Sequence, residues 1–221
     1  MDVALCVQNK SMKARGFAFV LLAAHIAGVA YGRIEPATKI AFADSRNGQP
    51  LVGVGVRKKG PIKVYGVGLY VDRLGSKLAL SKFSKHKVEE LSAAFFEALT
   101  GSFGKTIVIK MAFGVSKEKI ASALAESVQS RMGGSGGDAL AAFERVVLDG
   151  CAAHAGGRAS AGTEFSFGVR GNSIGVSVNG KASGTISSAP LCRAFLNCYF
   201  DGKSVAPALR STCAEGVLAL L

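Results

Sequence analysis

Arg57 is the residue whose type and setting point most directly to chemistry. It ends the valine- and glycine-rich run LVGVGVR, residues 51–57. A guanidinium stays charged and presents a planar fork that matches a carboxylate in two parallel hydrogen bonds. The same charge would stabilise an anion that forms during a reaction. Because two lysines follow Arg57, a solvated arginine is the favoured interpretation when the residue is taken alone.

The cysteines indicate packing rather than catalysis or metal binding. They show neither a close pair nor the spacing of a metal site. Four of them lie in apolar stretches with helical spacing, where a free cysteine acts as a small hydrophobic residue. A disulfide stays open as an alternative if the chain enters an oxidising compartment. The five are Cys6, Cys151, Cys192, Cys198 and Cys213.

Composition limits the class of protein. The chain has 221 residues, of which 49% are hydrophobic and 19% charged, so it can bury a core within one domain. The formal net charge of +12 suggests anionic partners. The charges are spread out, and four tyrosines without tryptophan offer few platforms for stacking bases, which argues against nucleic acid. A solvated surface, or attraction to anionic lipids or acids, remains.

Signature motifs of cofactor enzymes are missing from the sequence. It contains no zinc-finger spacing, zinc-protease helix, phosphate-binding loop or dinucleotide-binding loop. His86 and His154 lie in polar, loop-like surroundings that do not indicate a catalytic role. We therefore expect neither a cofactor nor a metal.

The elements that would position Arg57 begin with a hairpin. Residues 51–57 and 62–72 are rich in valine, tyrosine and glycine, and the turn residues between them include Gly60 and Pro61. Alternation along the second strand predicts that one face carries Lys63, Tyr65, Val67, Leu69 and Val71.

The rest of the chain alternates between helical and extended patterns. Helical spacing predicts a helix over 87–99, and a strand follows over 104–113. Ser116 can cap a helix that runs to about Met132, and another begins at Asp138.

Three short strands fill residues 162–187, joined by turns at Gly171-Asn172 and Asn179-Gly180, and two helices finish the chain. This order favours an α+β fold in which helices cover one side of an antiparallel sheet.

The first thirty residues read as a targeting segment. The apolar run 16–30 follows basic residues and ends with Gly28 and Ala30, which suit cleavage after Ala30. At 15 residues, the run is shorter than the roughly 20 that a membrane-spanning helix needs. We expect a signal peptide over 1–30, with translation starting at Met12, and one domain over 31–221. Entry into the secretory route, with a plastid of an alga as one destination, is expected; a retained hydrophobic anchor is the alternative.

Four segments, in order, resemble the chalcone isomerase family. They are GVGVRKKGPIKVYGVGLYVD, KTIVIKMAFGVSKEKI, GTEFSFGVRGNSIGVSVNGK and LCRAFLNCYFDGKSVAP, and the resemblance extends over about 34–215. It implies the chalcone isomerase fold, a large antiparallel sheet packed by helices (an open-faced β-sandwich), with an apolar cleft between them. The family includes isomerases that close a flavanone ring without a cofactor, members that bind fatty acids, and non-catalytic members that enhance flavonoid synthesis.

The resemblance assigns roles to particular residues. Arg57 matches the invariant cleft arginine of the family. Tyr65 matches a position that is threonine in true isomerases and tyrosine in the fatty-acid-binding members. A phenol there can donate to a carboxylate beside the arginine. Packing in the sheet is the alternative for Tyr65.

Three further positions depart from the isomerase pattern. Lys117 takes the place of a tyrosine that helps to hold water near the substrate ketone, although it can also be simply exposed at a helix start. Cys198 takes the place of a threonine that binds the substrate phenol ring, and a thiol is a weaker donor. Tyr199, next to it, is bulkier than its isomerase counterpart.

Two main functions follow, of which binding is favoured. In the first, a monomer binds a long-chain fatty acid in an apolar cleft and holds its carboxylate through Arg57 and Tyr65. In the second, the protein is an intramolecular lyase that converts chalcone to flavanone, with Arg57 supplying the charge. A non-catalytic accessory role is the third reading. The residues expected to line the cleft include Val67, Leu69, Phe113, Leu124 and Phe195.

Overall fold

The computed structural model describes residues 31–134 and 136–221. The signal segment and its cleavage site therefore lie outside the described residues and stay predictions. The first half of the chain forms strands β1 (Tyr31–Ile34), β2 (Ala41–Ala43), β3 (Ser45–Arg46), β4 (Gln49–Lys59) and β5 (Ile62–Val71), then helices α1 (Arg73–Leu80) and α2 (Ala93–Leu99), with 3₁₀ turns at Ser81–Phe83 and Val88–Glu90.

The second half begins with strands β6 (Lys105–Met111) and β7 (Val115–Ser116). Helices α3 (Lys117–Gln129) and α4 (Gly137–His154) follow, then strands β8 (Arg158–Ala159), β9 (Glu164–Arg170), β10 (Ser173–Val178) and β11 (Lys181–Ser187). Helices α5 (Ala189–Phe200) and α6 (Pro207–Leu218) end the described chain.

One seven-stranded sheet organises the fold, in the order β11-β10-β9-β6-β5-β4-β3. Each of its neighbouring strand pairs is antiparallel. This confirms the predicted α+β class, with a large antiparallel sheet packed by helices. The tight turn at Asn179-Gly180 has positive φ at both residues, 49° and 78°, as a two-residue hairpin of this kind requires.

The helices pack on one face of the sheet, and alternation along β5 decides which side chains meet them. Tyr65, Val67, Leu69 and Val71 belong to the large core beneath the helices, as predicted. The opposite face carries a small second core under the β1–β2 hairpin, which the sequence pattern did not predict. That core is formed by Phe42, Val54, Tyr70 and Val108.

Helix α6 packs directly on β4 because the strand has glycine on the contact face. A Cβ added at Gly53 would lie 2.6 Å from the Cys213 sulfur, and one at Gly55 would lie 2.3 Å from the Leu209 nitrogen. The Thr212 hydroxyl joins the two elements, since it accepts from Val54 N at 3.0 Å and donates to Val54 O at 2.6 Å. This contact fixes β4, the strand that carries Arg57, against helix α6.

The structure corrects the predictions for residues 87–99 and for His154. The expected helix over 87–99 is a 3₁₀ turn followed by α2, because Leu91 and Ser92 are extended, with ψ of 117° and 179°. His154 ends α4 instead of lying in a loop. By contrast, Ser116 caps α3 as predicted, its hydroxyl accepting from Lys119 N at 3.2 Å.

The four cysteines of the described chain are free and buried, and all lie on helices, as their apolar surroundings indicated. Cys6 lies outside the described residues.

Candidate functional site

The register of the hairpin places Arg57 directly opposite Tyr65 on neighbouring strands. Directly paired residues of antiparallel strands project to the same face. Arg57 also shares the alternation of Gly53 and Gly55, so it continues the face of β4 that packs on α6. Its guanidinium carbon lies 5.9 Å from the centre of the Tyr65 ring. The arginine is half-buried, and the tyrosine is 1% exposed.

Helix α5 brings Cys198 and Tyr199 to the same place. The hydroxyls of Tyr65 and Tyr199 are 3.4 Å apart, and both side chains are buried. The Cys198 thiol donates to the carbonyl oxygens of Ser127 at 3.2 Å and Ala194 at 3.3 Å. Four of the five residues predicted for the site therefore gather in one cluster.

Ser127, which was not among the predicted site residues, completes the cluster. The Arg57 Nη1 donates to the Ser127 Oγ at 2.9 Å, and that hydroxyl donates in turn to the Ala123 carbonyl at 2.8 Å. Ser127 lies three residues after Leu124 on α3, close to the inward-facing apolar stripe. A hydroxyl at the border of such a stripe is the signal that could have identified it.

Charge in this cluster is confined to Arg57. Burial alone would lower the pKa of the guanidinium, but the contact with Tyr65 raises it above the ordinary value. Burial raises the pKa of both Tyr65 and Tyr199. Burial also raises the pKa of the Cys198 thiol to about 12. At neutral pH the cluster is thus one cation surrounded by neutral hydroxyl and thiol groups.

Arg57 has no acidic partner within the described ranges, where every ion pair involves other cations. The carboxylate of Asp201 instead pairs with Arg131, which follows Ser127 by four residues. The Arg131 Nε lies 2.7 Å from the Asp201 Oδ2. Five donors are available on a guanidinium, and Arg57 uses one of them in a described hydrogen bond. Tyr65 also lies within hydrogen-bonding reach of the guanidinium. The donors that neither Ser127 nor Tyr65 engages can bind an anion.

A pocket of about 520 Å³ opens beside Arg57. That volume falls within the roughly 300–1,000 Å³ typical of small-molecule sites. It lies between the end of β4 and the beginning of α6, so it is a cleft between sheet and helix. Besides Arg57 and Lys58, its walls are Val56, Ser204, Val205, Pro207 and Ala208.

Lys117 lies apart from the cluster. It is the first residue of α3, ten residues before Ser127, which corresponds to about 15 Å along the helix. Its amine lies 3.9 Å from the Glu118 carboxylate, and its side chain is partly exposed. The structure therefore does not bring Lys117 together with Arg57, and its role in binding stays a prediction.

The residues expected to line a cleft are mostly packed core. Val67, Leu69, Leu124 and Phe195 are 0–3% exposed and belong to one contiguous cluster. The Phe195 ring centre lies 4.9 Å from that of Phe167 and 5.7 Å from that of Tyr199. Rings from α5 therefore occupy the space against the sheet.

Phe113 differs from these four core residues, and its place in a cleft stays a prediction. It follows β6, which ends at Met111, and it is 37% exposed.

Neither a metal cluster nor a membrane-crossing helix is found in the part of the chain that the structure describes. No group of three or more His, Cys, Asp or Glu side chains there could hold a metal ion. No helix there is long and apolar enough to cross a bilayer.

Comparison with known proteins agrees with the fold. A sequence model of the chalcone isomerase-like family matches residues 37–212, so the chain belongs to that family. Among solved structures, a fatty-acid-binding protein of Arabidopsis thaliana superposes with a TM-score of 0.74 and 24% identity. The match covers 85% of this chain and 98% of that one. No curated protein matches the sequence.

Proposed function

We propose that this protein binds a long-chain fatty acid and that Arg57 holds the carboxylate. The observation that carries the proposal is a half-buried guanidinium with unused donors at the wall of a pocket, without an acidic partner among the described residues. A carboxylate matches that fork with two charge-assisted hydrogen bonds. The fatty-acid-binding protein from Arabidopsis, which shares the fold, supports the same ligand class.

Tyr65 supports Arg57 in this role. It lies on the buried side of the arginine, and its raised pKa keeps the hydroxyl protonated and able to donate. Tyr199 holds the Tyr65 hydroxyl at 3.4 Å, and Ser127 holds the guanidinium. These contacts orient the two donors before a ligand arrives, which lowers the entropic cost of binding.

The apolar walls of the pocket supply the affinity for the acyl chain. Val56, Val205, Pro207 and Ala208 face the space beside the guanidinium. Each methylene removed from water contributes about 0.8 kcal/mol, so a chain that lies along these walls gains affinity with length. Because the rings of Phe195 and Tyr199 are packed in the core, the acyl chain can extend from the pocket into the core only if those rings change rotamer.

Calorimetric titration with oleate, below its micellar concentration, tests the proposal. Arg57→Ala should weaken binding tenfold or more, since a hydrogen bond to a charged group contributes about 1.5–3 kcal/mol. Lys59→Gln is the matched control: it removes one positive charge from an exposed position of the same strand and should change affinity less than twofold. Equal losses in both variants would show that only general charge attraction is at work.

An assay with naringenin chalcone separates binding from catalysis. The cysteine and the two tyrosines around Arg57 depart from the pattern of true isomerases. We therefore expect the chalcone to close its ring at the spontaneous rate in the presence of the protein. Turnover well above that rate, abolished by Arg57→Ala, would contradict the proposal and favour an isomerase.

A further inference from the structure

Helix α1 exposes two leucines that no described part of the chain covers. Leu74 is 68% and Leu78 is 74% exposed, and they lie four residues apart, one above the other. The buried residues of the helix, Ser76 and Leu80, lie on its opposite side. The two leucines therefore project away from the core.

The charged residues of the segment that contains these leucines have one sign. Residues 73–87 contain no Asp or Glu, and each basic residue among them is exposed. Asp72, just before, accepts from Gly75 N at 2.6 Å and so caps the helix. The first acidic side chains beyond the segment are Glu89 and Glu90. The basic residues are Arg73, Lys77, Lys82, Lys85 and Lys87.

We propose that this basic-leucine surface, formed by the exposed side chains of residues 73–87, docks the protein on an anionic lipid bilayer. Leucines on the outer side of an amphipathic helix insert at the boundary between headgroups and acyl chains. Flanking lysines are attracted to anionic headgroups and need no fixed geometry to gain from them. Charge complementarity and the two projecting leucines thus point to the same occupant.

A bilayer fits this surface better than a nucleic acid does. Single-stranded nucleic acid is bound by aromatic platforms beside the cations. The aromatic residue of this segment, Phe83, is 7% exposed and belongs to the core. Exposed leucines beside lysines suit an apolar layer under charged headgroups and have no matching part in a phosphate backbone.

Docking is independent of the pocket beside Arg57. Helix α1 follows the end of β5, whereas Tyr65 lies six residues before that end, about 20 Å along the strand. Variants of the basic-leucine surface should therefore leave oleate affinity unchanged. An experiment can therefore show that the protein does not dock on a bilayer without showing that it does not bind fatty acid, and the reverse also holds.

The absence of tryptophan from the chain allows a site-specific test with the full-length protein. Leu78→Trp places one indole on the basic-leucine surface. On vesicles of phosphatidylcholine with 30% phosphatidylserine, its emission should shift to shorter wavelength, and phosphatidylcholine alone should give a much smaller shift. The probe reports on residue 78 itself. If the protein attaches to vesicles through another part of the chain, the indole therefore keeps the emission wavelength that it has in water.

Two control variants complete the design. Ala141→Trp, at an exposed position of α4, should show no shift on either vesicle. Adding Lys82→Gln and Lys85→Gln to Leu78→Trp should weaken vesicle affinity about 25-fold, at about fivefold per cation. A thermal melt checks that each variant folds, which we expect because all these positions are exposed.

The proposal is overturned if the indole at 78 keeps its aqueous emission on anionic vesicles, or if neutral vesicles shift it equally. An emission that ignores vesicles but responds to single-stranded RNA would assign the surface to nucleic acid and overturn it as well. A shift that weakens as salt rises to 0.5 M supports it, since salt screens exposed charges.

Discussion

Two arginines contact Ser127, one at its hydroxyl and one at its carbonyl oxygen, and they use their donors very differently. Arg131 donates to both carboxylate oxygens of Asp201, at 2.7 and 3.2 Å, and to the Lys203 carbonyl at 2.7 Å. It also donates to the Ser127 carbonyl and to the Ser130 hydroxyl. Arg57 donates to the Ser127 hydroxyl in its one described hydrogen bond.

The difference separates a structural arginine from a binding arginine. Arg131 has its charge neutralised and its donors filled by the protein, so it ties α3 to the segment after α5. Arg57 has a charge and unused donors at the wall of a pocket. A guanidinium presents five N–H groups, and those that the protein leaves unpaired mark where a ligand can be bound.

The largest expected effect is on stability and concerns Arg131. Arg131→Ala removes five hydrogen bonds and leaves the Asp201 carboxylate without its cation, so we expect the free energy of unfolding to fall by about 2 kcal/mol. Arg57→Ala should cost less than about 1 kcal/mol, because it removes one described bond. Urea denaturation measures the free energy of unfolding of both variants. Equal decreases would contradict the view that Arg131 is structural and Arg57 is not.

The next effect is on affinity and concerns the shape of the Arg57 side chain. Arg57→Lys retains the charge but loses the planar fork, so oleate should bind about threefold more weakly than to the unchanged protein, against at least tenfold for Arg57→Ala. Titration calorimetry compares the three. Full affinity in the lysine variant would mean that charge alone matters.

A smaller effect is expected from the hydroxyl behind Arg57. Tyr65→Phe keeps the buried ring and removes one neutral donor, so affinity should fall about threefold, in line with a neutral hydrogen bond. The same titration measures it. A loss as large as that of Arg57→Ala would move the main role from the arginine to the tyrosine.

Almost no effect is expected from pH between 7 and 9. The raised pKa of Arg57 keeps it charged, and burial raises the pKa values of Tyr65, Tyr199 and Cys198, so all three stay protonated over this range. Oleate affinity measured at pH 7 and pH 9 should therefore agree within twofold. A steep fall toward pH 9 would indicate that a phenolate or thiolate forms beside the guanidinium.

The fold could be predicted from the sequence wherever the pattern was long and local. Alternation along β5 assigned its buried face, the Asn179-Gly180 turn fixed a hairpin, and Ser116 marked the start of α3. The break at Ser92 was missed because the apolar spacing of residues 88–99 continues through it. Helix α1 was not predicted, since its outward leucines blur the amphipathic pattern.

The site could be predicted in part. Resemblance to a family supplied Arg57, Tyr65, Cys198 and Tyr199, which the fold gathers. The contact between Arg57 and Ser127 depends on the distance between α3 and β4 in the folded protein, and no pattern in a single sequence gives that distance. The filling of the space beneath α5 by aromatic rings is likewise a property of packing.

The most direct test of the role of Arg57 compares an acid with its alcohol. Oleate and oleyl alcohol share the same chain, so the ratio of their affinities isolates the contribution of the carboxylate. We expect the unchanged protein to prefer the acid at least tenfold and Arg57→Gln to lose that preference. If Arg57→Gln keeps the full preference for the acid, Arg57 does not bind the carboxylate and the account is wrong.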